Sequence, residues 1–273
     1  MNARIGDIVF SRLVLLLRWA TIAFLLMPFA VMLLMAFDGR PYLGPLPPPS
    51  YSLQWFQQFF ADSSFMHGLR ISLELGILAA LASTLLGVAA ATALDKVRFA
   101  GRDALITLFL SPLAVPPVVT GFALLLFLAK FGVYDGFTRL ACGHIIITLP
   151  YTIRATLASL GAIDRSLGEA AQSLGASPMR VFWEVTLPLA RAGVISGGIF
   201  AFAVSMDDIG VSIMLSDSTT VTLPVALIAS MRANFSLTIA AASLMLILLT
   251  IVLIFVLEKT VGVSRALGQG MFR

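Results

Sequence analysis

Six long apolar runs alternate with shorter polar segments along the 273 residues of this chain. They cover about 14–37, 69–94, 104–129, 138–160, 193–215 and 237–257. A helix rises about 1.5 Å per residue, so roughly 20 apolar residues cross about 30 Å of hydrocarbon. Each run has that length and is apolar on all sides, which predicts membrane-spanning helices. Strands of a membrane barrel would be about ten residues long, with alternating polarity. Lipid also offers no partner to an open backbone. The pattern therefore predicts an all-α, polytopic membrane protein with six transmembrane helices.

Composition supports this and removes other classes. Apolar residues make up 59% of the chain and charged residues 12%, with a mean hydropathy of +0.98. A soluble domain carries roughly 25% charge because its surface faces water, so a soluble enzyme and a disordered chain are both excluded. The single cysteine, Cys142, has no partner for an internal disulfide. Arg4, Arg12 and Arg18 precede and enter the first run, as in a signal peptide. No small-x-small cleavage site follows, so a retained helix is expected.

Basic residues set the expected orientation. Twelve (Arg4, Arg12, Arg18, Lys96, Arg98, Arg102, Arg165, Arg180, Arg191, Lys259, Arg265 and Arg273) fall on the side of the termini. Five (Arg40, Arg70, Lys130, Arg139 and Arg232) fall on the other, and Arg154 lies within the fourth run. Both termini and the 161–192 loop are therefore expected in the cytoplasm. The net charge of +4 reflects topology and implies no nucleic-acid partner. The expected organisation is a first helix and external loop over 1–68, a five-helix core over 69–258, and a cytoplasmic tail over 259–273.

Between the spans, 38–67 is the longest external connection. Pro41, Pro45, Pro47, Pro48 and Pro49 make its first half extended. Its second half, 52–60, mixes aromatics with glutamines, which fits an interfacial helix or a docking surface for an external partner. Pro112, Pro116 and Pro117 lie inside the third run and should kink or break it, for packing or to line a pathway.

The cytoplasmic loop holds the most specific pattern, running from Glu169, Ala170 and Ala171 through Gly175, Ser177 and Pro178 to Leu187 and Pro188. Gly175 suits the left-handed position that ends a helix. Ser177 suits an N-cap, with Pro178 at the first position of a second helix. Pro188 is expected to turn the chain towards the membrane. Met179, Val181, Phe182 and Trp183, around Arg180, give that second helix a surface too apolar to face water alone, so it should dock.

At these residues the chain resembles the permease subunits of bacterial ABC importers. Their signature is Glu-Ala-Ala, three residues, Gly, nine residues, then Ile-x-Leu-Pro. Glu169, Ala170, Ala171, Gly175, Leu187 and Pro188 match in register, with Val185 at the isoleucine. The stretch from Phe202 to Asp208, and Val97 to Gly101, look like spermidine/putrescine-type permeases; Ile71-Ser72 departs from the Asn-Ser that often opens the second span. The resemblance implies a type I importer transmembrane fold. It also implies that the loop is a coupling helix, with Glu169 and Gly175 fixing the turn and Met179 to Trp183 meeting an ATPase subunit.

Further expectations follow from the resemblance. The chain would work with two ATPase subunits, a second and homologous permease subunit, and a periplasmic solute-binding protein, all in a lipid bilayer of the inner membrane. It would carry no cofactor itself, with ATP and Mg bound by the ATPase subunits. Its own lysines follow Asp95, Ala129 and Glu258, so a phosphate-binding Gly-Lys-Ser/Thr is absent from the sequence. The solute would be a polyamine or another small amine, moved by alternating access.

Ionisable residues within the runs are the candidates for a pathway. Asp207 and Asp208 sit in the fifth run, where each Asp costs about 2.5–3.5 kcal/mol at mid-membrane, so neither should face lipid. They contact a cationic solute, belong to a network with Arg154 or a partner subunit, or are protonated. Ser205, Glu74, Pro116 and Pro117 join them as candidate pathway residues. Glu74 and Arg70 are four apart and can pair on one face. His144 is a lone histidine without a second metal ligand nearby, which favours packing or a helix–helix hydrogen bond. The rival reading is a secondary transporter or channel using Asp207 and Asp208 as a cation or proton site. An intramembrane hydrolase is disfavoured, since adjacent carboxylates on one helix do not converge on one atom.

Overall fold

Prolines, glycines and one aspartate decide where the apolar runs become helices. The computed structural model describes residues 2–96, 100–233 and 236–261. In chain order its helices are α1 (Asn2–Ala36), α2 (Gln54–Ala61), α3 (Ser63–Lys96), α4 (Arg102–Leu110), α5 (Pro117–Lys130), α6 (Gly136–Gly161), α7 (Arg165–Ser173), α8 (Pro178–Val181), α9 (Leu187–Asp207), α10 (Gly210–Leu215), α11 (Leu223–Ala233) and α12 (Thr238–Val261). Among the described residues there is no strand, consistent with the all-α expectation. Val97, Arg98, Phe99, Arg265 and Arg273, and with them most of the expected tail, lie outside the described residues.

Among the described residues, four stretches are long and apolar enough to cross a membrane alone: Phe10–Ala36, Ser63–Lys96, Gly136–Gly161 and Pro178–Asp207. The third predicted span is a bent pair, Arg102–Leu113 and Pro117–Lys130, turning by 104°. Its proline cluster explains the bend. A short 3-10 turn, Ser111–Leu113, carries Pro112, and Pro117 opens α5 at a position that needs no donor. The last apolar helix covers Thr238–Leu253 by that measure.

The fifth predicted span differs most from its expectation. One helical path runs from Pro178 to Asp207, then breaks at Asp208 and Ile209 before α10. Pro188 does not turn the chain. A π-helical turn over Phe182–Thr186 precedes it and leads straight into α9. Proline lacks a donor and its ring crowds the carbonyl four residues back. The wider π turn supplies that room.

The chain forms two compact units. The described residues of Ser63–Ala229 and Leu249–Arg273 form the larger one. Within it α3, α6 and α9 are the central pack. On α3 the buried positions include Gly68, Ser72, Gly76, Ala79, Ser83, Gly87 and Ala91, an almost unbroken stripe of small residues at helical spacing. Lipid supplies no hydrophobic force between helices, so small residues that let backbones approach are the useful ones. A Cβ on Gly87 would lie 2.7 Å from Thr152 Cβ, and one on Gly197 would lie 2.9 Å from Thr152 Cα. Thr152 Oγ1 also donates to the Ser83 carbonyl at 2.7 Å, tying α6 to α3.

The smaller unit comprises the described residues of Met1–Asp62 and Ser230–Leu248. Trp55 of α2 is buried with Ala36, Leu237, Ala241 and Leu244. Its Nε1 donates to the Asp38 carbonyl at 2.6 Å. The buried Asp38 carboxylate takes three bonds from the Arg40 guanidinium. The side-chain bond from Arg40 holds its carboxyl below the usual carboxylate range, against the opposing effect of burial. The 52–60 aromatics thus anchor the loop between α1 and α3 through Trp55 and Phe59, while Phe60 stays exposed.

Candidate functional site

The Glu169–Pro188 region folds as the local signals dictate. Asp164 caps α7 by accepting from the Ser166 backbone N–H at 2.9 Å. That bond, followed by one from the Ser166 hydroxyl, holds the Asp164 carboxyl below its ordinary value. At the other end Gly175 has φ of +90°, which an L side chain adopts only with strain. Its N–H donates to Gln172 at 2.9 Å, and the Ala176 N–H donates to Ala171 at 3.0 Å. These two bonds are a Schellman termination, with Ala171 and Gln172 supplying the otherwise orphaned carbonyls. Ser177 Oγ then accepts from the Arg180 N–H at 3.3 Å to begin α8 behind Pro178.

Two tight caps in succession turn the chain with little freedom, and the apolar side chains divide by face. Val181 is buried, while Leu174, Met179 and Trp183 are 90%, 67% and 59% exposed. Phe182 lies edge-on to Trp183, with ring centroids 5.1 Å apart. Arg180 pairs with Glu184 one turn on, at 2.9 Å. Glu169, Ala170, Ser177 and Pro188 are exposed and Leu187 is half-buried. Behind the turn lies a cavity of about 720 Å³, mostly apolar, between α3 and the α8–α9 segment. Lys96 closes its edge, with Nζ 6.0 Å from the Phe182 ring centroid. This arrangement presents a rigid, water-averse knob.

The candidate pathway residues meet where two broken helices touch. A Cβ on Gly210 at the start of α10 would lie 2.6 Å from Pro117 Cβ at the start of α5. The break after Pro116 therefore packs against the break after Asp208. Discontinuous helices at membrane depth are tolerated where protein or a water-filled path satisfies the freed groups. Asp208 does this for α10: its carboxylate accepts from the Ser212 N–H at 2.8 Å and approaches the Val211 N–H at 3.5 Å. Its side chain is only 7% exposed. Asp207, the last residue of α9, is exposed.

His144 organises the same region. It is fully buried on α6, with Nδ1 2.7 Å from Ser205 Oγ on α9 and Nε2 3.0 Å from Ser212 Oγ on α10. Asp208 Oδ2 stands 4.0 Å from Nε2. Leu75, Leu140, Ile147, Val211 and Leu215 form the apolar cluster beside it. Asp208 thus neighbours His144 and bonds to the backbone of α10, with Arg154 taking no part. Arg154 is exposed and ten residues further along α6, roughly 15 Å away at helical rise.

Glu74 stays outside this group, since it pairs with Arg70 on the exposed face of α3 at 2.7 Å. The structure therefore brings together Pro116, Pro117, Ser205, Asp207 and Asp208, and leaves Glu74 apart. The helix–helix hydrogen bond expected of His144 is present twice, to Ser205 and to Ser212, and of these two serines only Ser212 was not expected at the site. The signal was present: an aspartate followed by Gly210 inside an apolar run is a helix-start pattern.

After α10, Asp217 closes a turn by accepting from the Thr219 and Thr220 N–H groups at 2.9 and 2.8 Å. The Thr219 backbone bond is the largest cause that keeps its carboxyl low. Arg139 lies 3.6 Å away, and His67 Nε2 meets the Thr219 carbonyl at 2.9 Å.

Residues 83–260 match the family described as "Binding-protein-dependent transport system inner membrane component". The chain is 30% identical over 228 residues to the putrescine transport system permease protein PotI of Escherichia coli K12, covering 81% of this chain and 80% of that one. It is 27% identical over 232 residues to the spermidine/putrescine transport system permease protein PotC of Haemophilus influenzae, covering 85% and 90%. Among solved structures, a bacterial ABC transporter that imports the acidic polysaccharide alginate matches with a TM-score of 0.69 and 18% identity, over 96% of this chain and 98% of that one. The inward-facing MetNI methionine ABC transporter matches with a TM-score of 0.61 and 18% identity, over 73% and 95%. The two structures establish a shared fold. The sequence matches establish more: this chain belongs to the family of binding-protein-dependent transport system inner membrane components, and is a multi-pass permease of the inner membrane.

Proposed function

We propose that this chain is the permease subunit of an ATP-driven importer of a polyamine or another small cationic amine. In this reading two ATPase subunits bind ATP and Mg, a second homologous permease completes the pore, and a periplasmic binding protein delivers the solute. Closure of the ATPase subunits moves the 161–192 loop and turns the bundle from inward- to outward-facing. The relatives named for putrescine and spermidine support the solute class. The exposed Asp207 at a break between helices supports it independently, because the negative end of α9 and a carboxylate coincide there.

The observation that carries the coupling reading is the doubly capped turn at Gly175 and Ser177. It holds Leu174, Met179 and Trp183 outward, where a soluble partner would bury them. A secondary transporter would have no use for that knob. Reconstitution of the complex in proteoliposomes tests both parts. Putrescine-loaded binding protein should stimulate ATP hydrolysis, and labelled putrescine should accumulate only with ATP. Accumulation driven by an ion gradient without ATP would overturn the coupling reading. Stimulation by a neutral or anionic solute alone would overturn the solute class.

A further inference from the structure

The two adjacent aspartates have different surroundings, and the difference traces to one histidine. Asp208 is turned inward and engaged with the backbone of α10, while Asp207 is exposed. Both ring nitrogens of His144 are taken up by serine hydroxyls on opposite sides of the break, Ser205 before it and Ser212 after it. The ring is fully buried, and Thr148 Oγ1 adds a bond to the His144 carbonyl at 2.7 Å. A histidine with both nitrogens occupied in an apolar shell is a brace. It has no lone pair or proton left to offer a solute.

We propose that His144 is a positioning residue. By joining Ser205 of α9 to Ser212 of α10, beside Asp208, it fixes the break so that Asp208 serves only as the cap of α10. Asp207 is thereby left as the one carboxylate of the pair offered to a cationic solute. This rests on the cation-import reading above for the role of Asp207, but the geometry assigned to His144 does not.

The physical consequence is an asymmetry between two chemically identical neighbours. Asparagine at 208 still presents an oxygen to the Ser212 N–H, so the cap survives loss of charge. Asparagine at 207 removes the charge that a cation would meet. Leucine at 144 keeps the apolar volume near that of imidazole but releases both serines, so the break loses its brace while the helices remain packed.

The test uses the complete reconstituted complex, with assembly checked by size-exclusion chromatography. Putrescine uptake should show KM raised about tenfold in Asp207→Asn with little change in the maximal rate, as for loss of a charge-assisted contact. Asp208→Asn should stay within about threefold of the parent, since the cap is retained. His144→Leu should raise KM about as much as Asp207→Asn, and His144→Gln should recover much of that by keeping a polar end near Ser212. Equal KM increases in Asp207→Asn and Asp208→Asn would overturn the proposal, as would unchanged uptake in His144→Leu.

A second readout needs no solute. In a Cys142→Ser background, Asp207→Cys should react with a membrane-impermeant thiol reagent about tenfold faster than Asp208→Cys, following their exposure. Adding His144→Leu should shrink that ratio to about threefold or less, since a mobile break exposes both positions. A ratio unaffected by His144→Leu, or equal labelling in the parent, overturns the role of His144. A complex that labels as expected yet imports no cation would instead overturn the cation-import reading and leave the brace standing.

Discussion

Pro117 and Gly210 open two different helices and pack against each other, so that a Cβ on Gly210 would come within 2.6 Å of Pro117 Cβ. The contact joins the breaks in two spans at one place. Pro117 cannot move away cheaply, because it starts α5 with its φ fixed by the ring. Gly210→Val should therefore separate α5 from α10. The expected loss is about 1–3 kcal/mol, typical of overpacking. A lowered thermal midpoint of the purified complex, with transport reduced further than ATP hydrolysis, is the predicted pair of results. Unchanged melting would mean that the two breaks do not bear on each other.

Gly175 makes the sharpest backbone prediction. Its φ of +90° is out of reach for proline, whose ring holds φ near −65°. Gly175→Pro should destroy the Schellman bonds to Ala171 and Gln172 and abolish transport, while the spans still insert. Gly175→Ala should be milder, at about 1–2 kcal/mol for a left-handed L residue. The check is ATP hydrolysis and uptake measured on the same vesicles. Hydrolysis that continues without uptake is expected in the proline variant; normal uptake there would refute a coupling role for the turn.

The Gly175–Ser177 turn was legible in the sequence because caps are local. Gly175, Ser177 and Pro178 each act on bonds within a few residues, and the observed bonds are those. The helices were legible because lipid imposes one length and one polarity on each. The break at Asp208 was legible only as a local helix-start cue, because hydropathy records the carboxylate that takes the Ser212 N–H as a penalty alone. Pro188 was misjudged for a similar reason. Its effect depends on the π turn before it, which no propensity announces. Arg154 was one of several neighbours the sequence offered the two aspartates, and the fold instead sets His144 4.0 Å from Asp208. The small-residue stripe of α3 became meaningful only once Thr152 and Phe202 were seen against it.

That stripe predicts an unequal pair of substitutions. Thr152→Ala removes the bond from Oγ1 to the Ser83 carbonyl, and such bonds between membrane helices average about 0.6 kcal/mol. Gly87→Val drives a branched side chain into Thr152, where even a single Cβ would lie 2.7 Å from Thr152 Cβ. Its effect should be larger, about 1–3 kcal/mol by overpacking. Denaturant titration of the complex in detergent should rank the two in that order. The reverse ranking would show that α3 and α6 are held by the hydrogen bond more than by close approach.

The exposed knob predicts loss of partnership without loss of fold. Trp183 is 59% exposed and Met179 67%, so neither contributes much to the packing of this chain alone. Aromatic anchors buried at an interface commonly contribute about 2 kcal/mol or more. Trp183→Ala should leave the melting of the isolated permease pair nearly unchanged. It should weaken recruitment of the ATPase subunits by roughly 30-fold, the equivalent of that energy. Titration of labelled ATPase subunit onto the permease in nanodiscs measures this directly. Full-strength recruitment would place the ATPase contact elsewhere.

Asp164 gives a prediction in pH. Its carboxyl is held below the ordinary 3.8, first by the Ser166 backbone N–H and then by the Ser166 hydroxyl. A lowered folded-state value means that the cap stabilises α7 fully above the unfolded value. That stabilisation disappears as pH falls through the folded value. The start of α7 should therefore be unaffected from neutral pH down to about 5, where an ordinary Asp begins to protonate, and should loosen progressively below about 4. A nitroxide attached at Gln172→Cys, an exposed position on α7, would report this as mobility. Asp164→Ala should show the mobile spectrum already at neutral pH. Asp164→Asn, which keeps an acceptor oxygen for Ser166, should remain ordered and lose the acid transition. A mobility step centred near pH 6, where histidine titrates, would assign control of the loop to a different group.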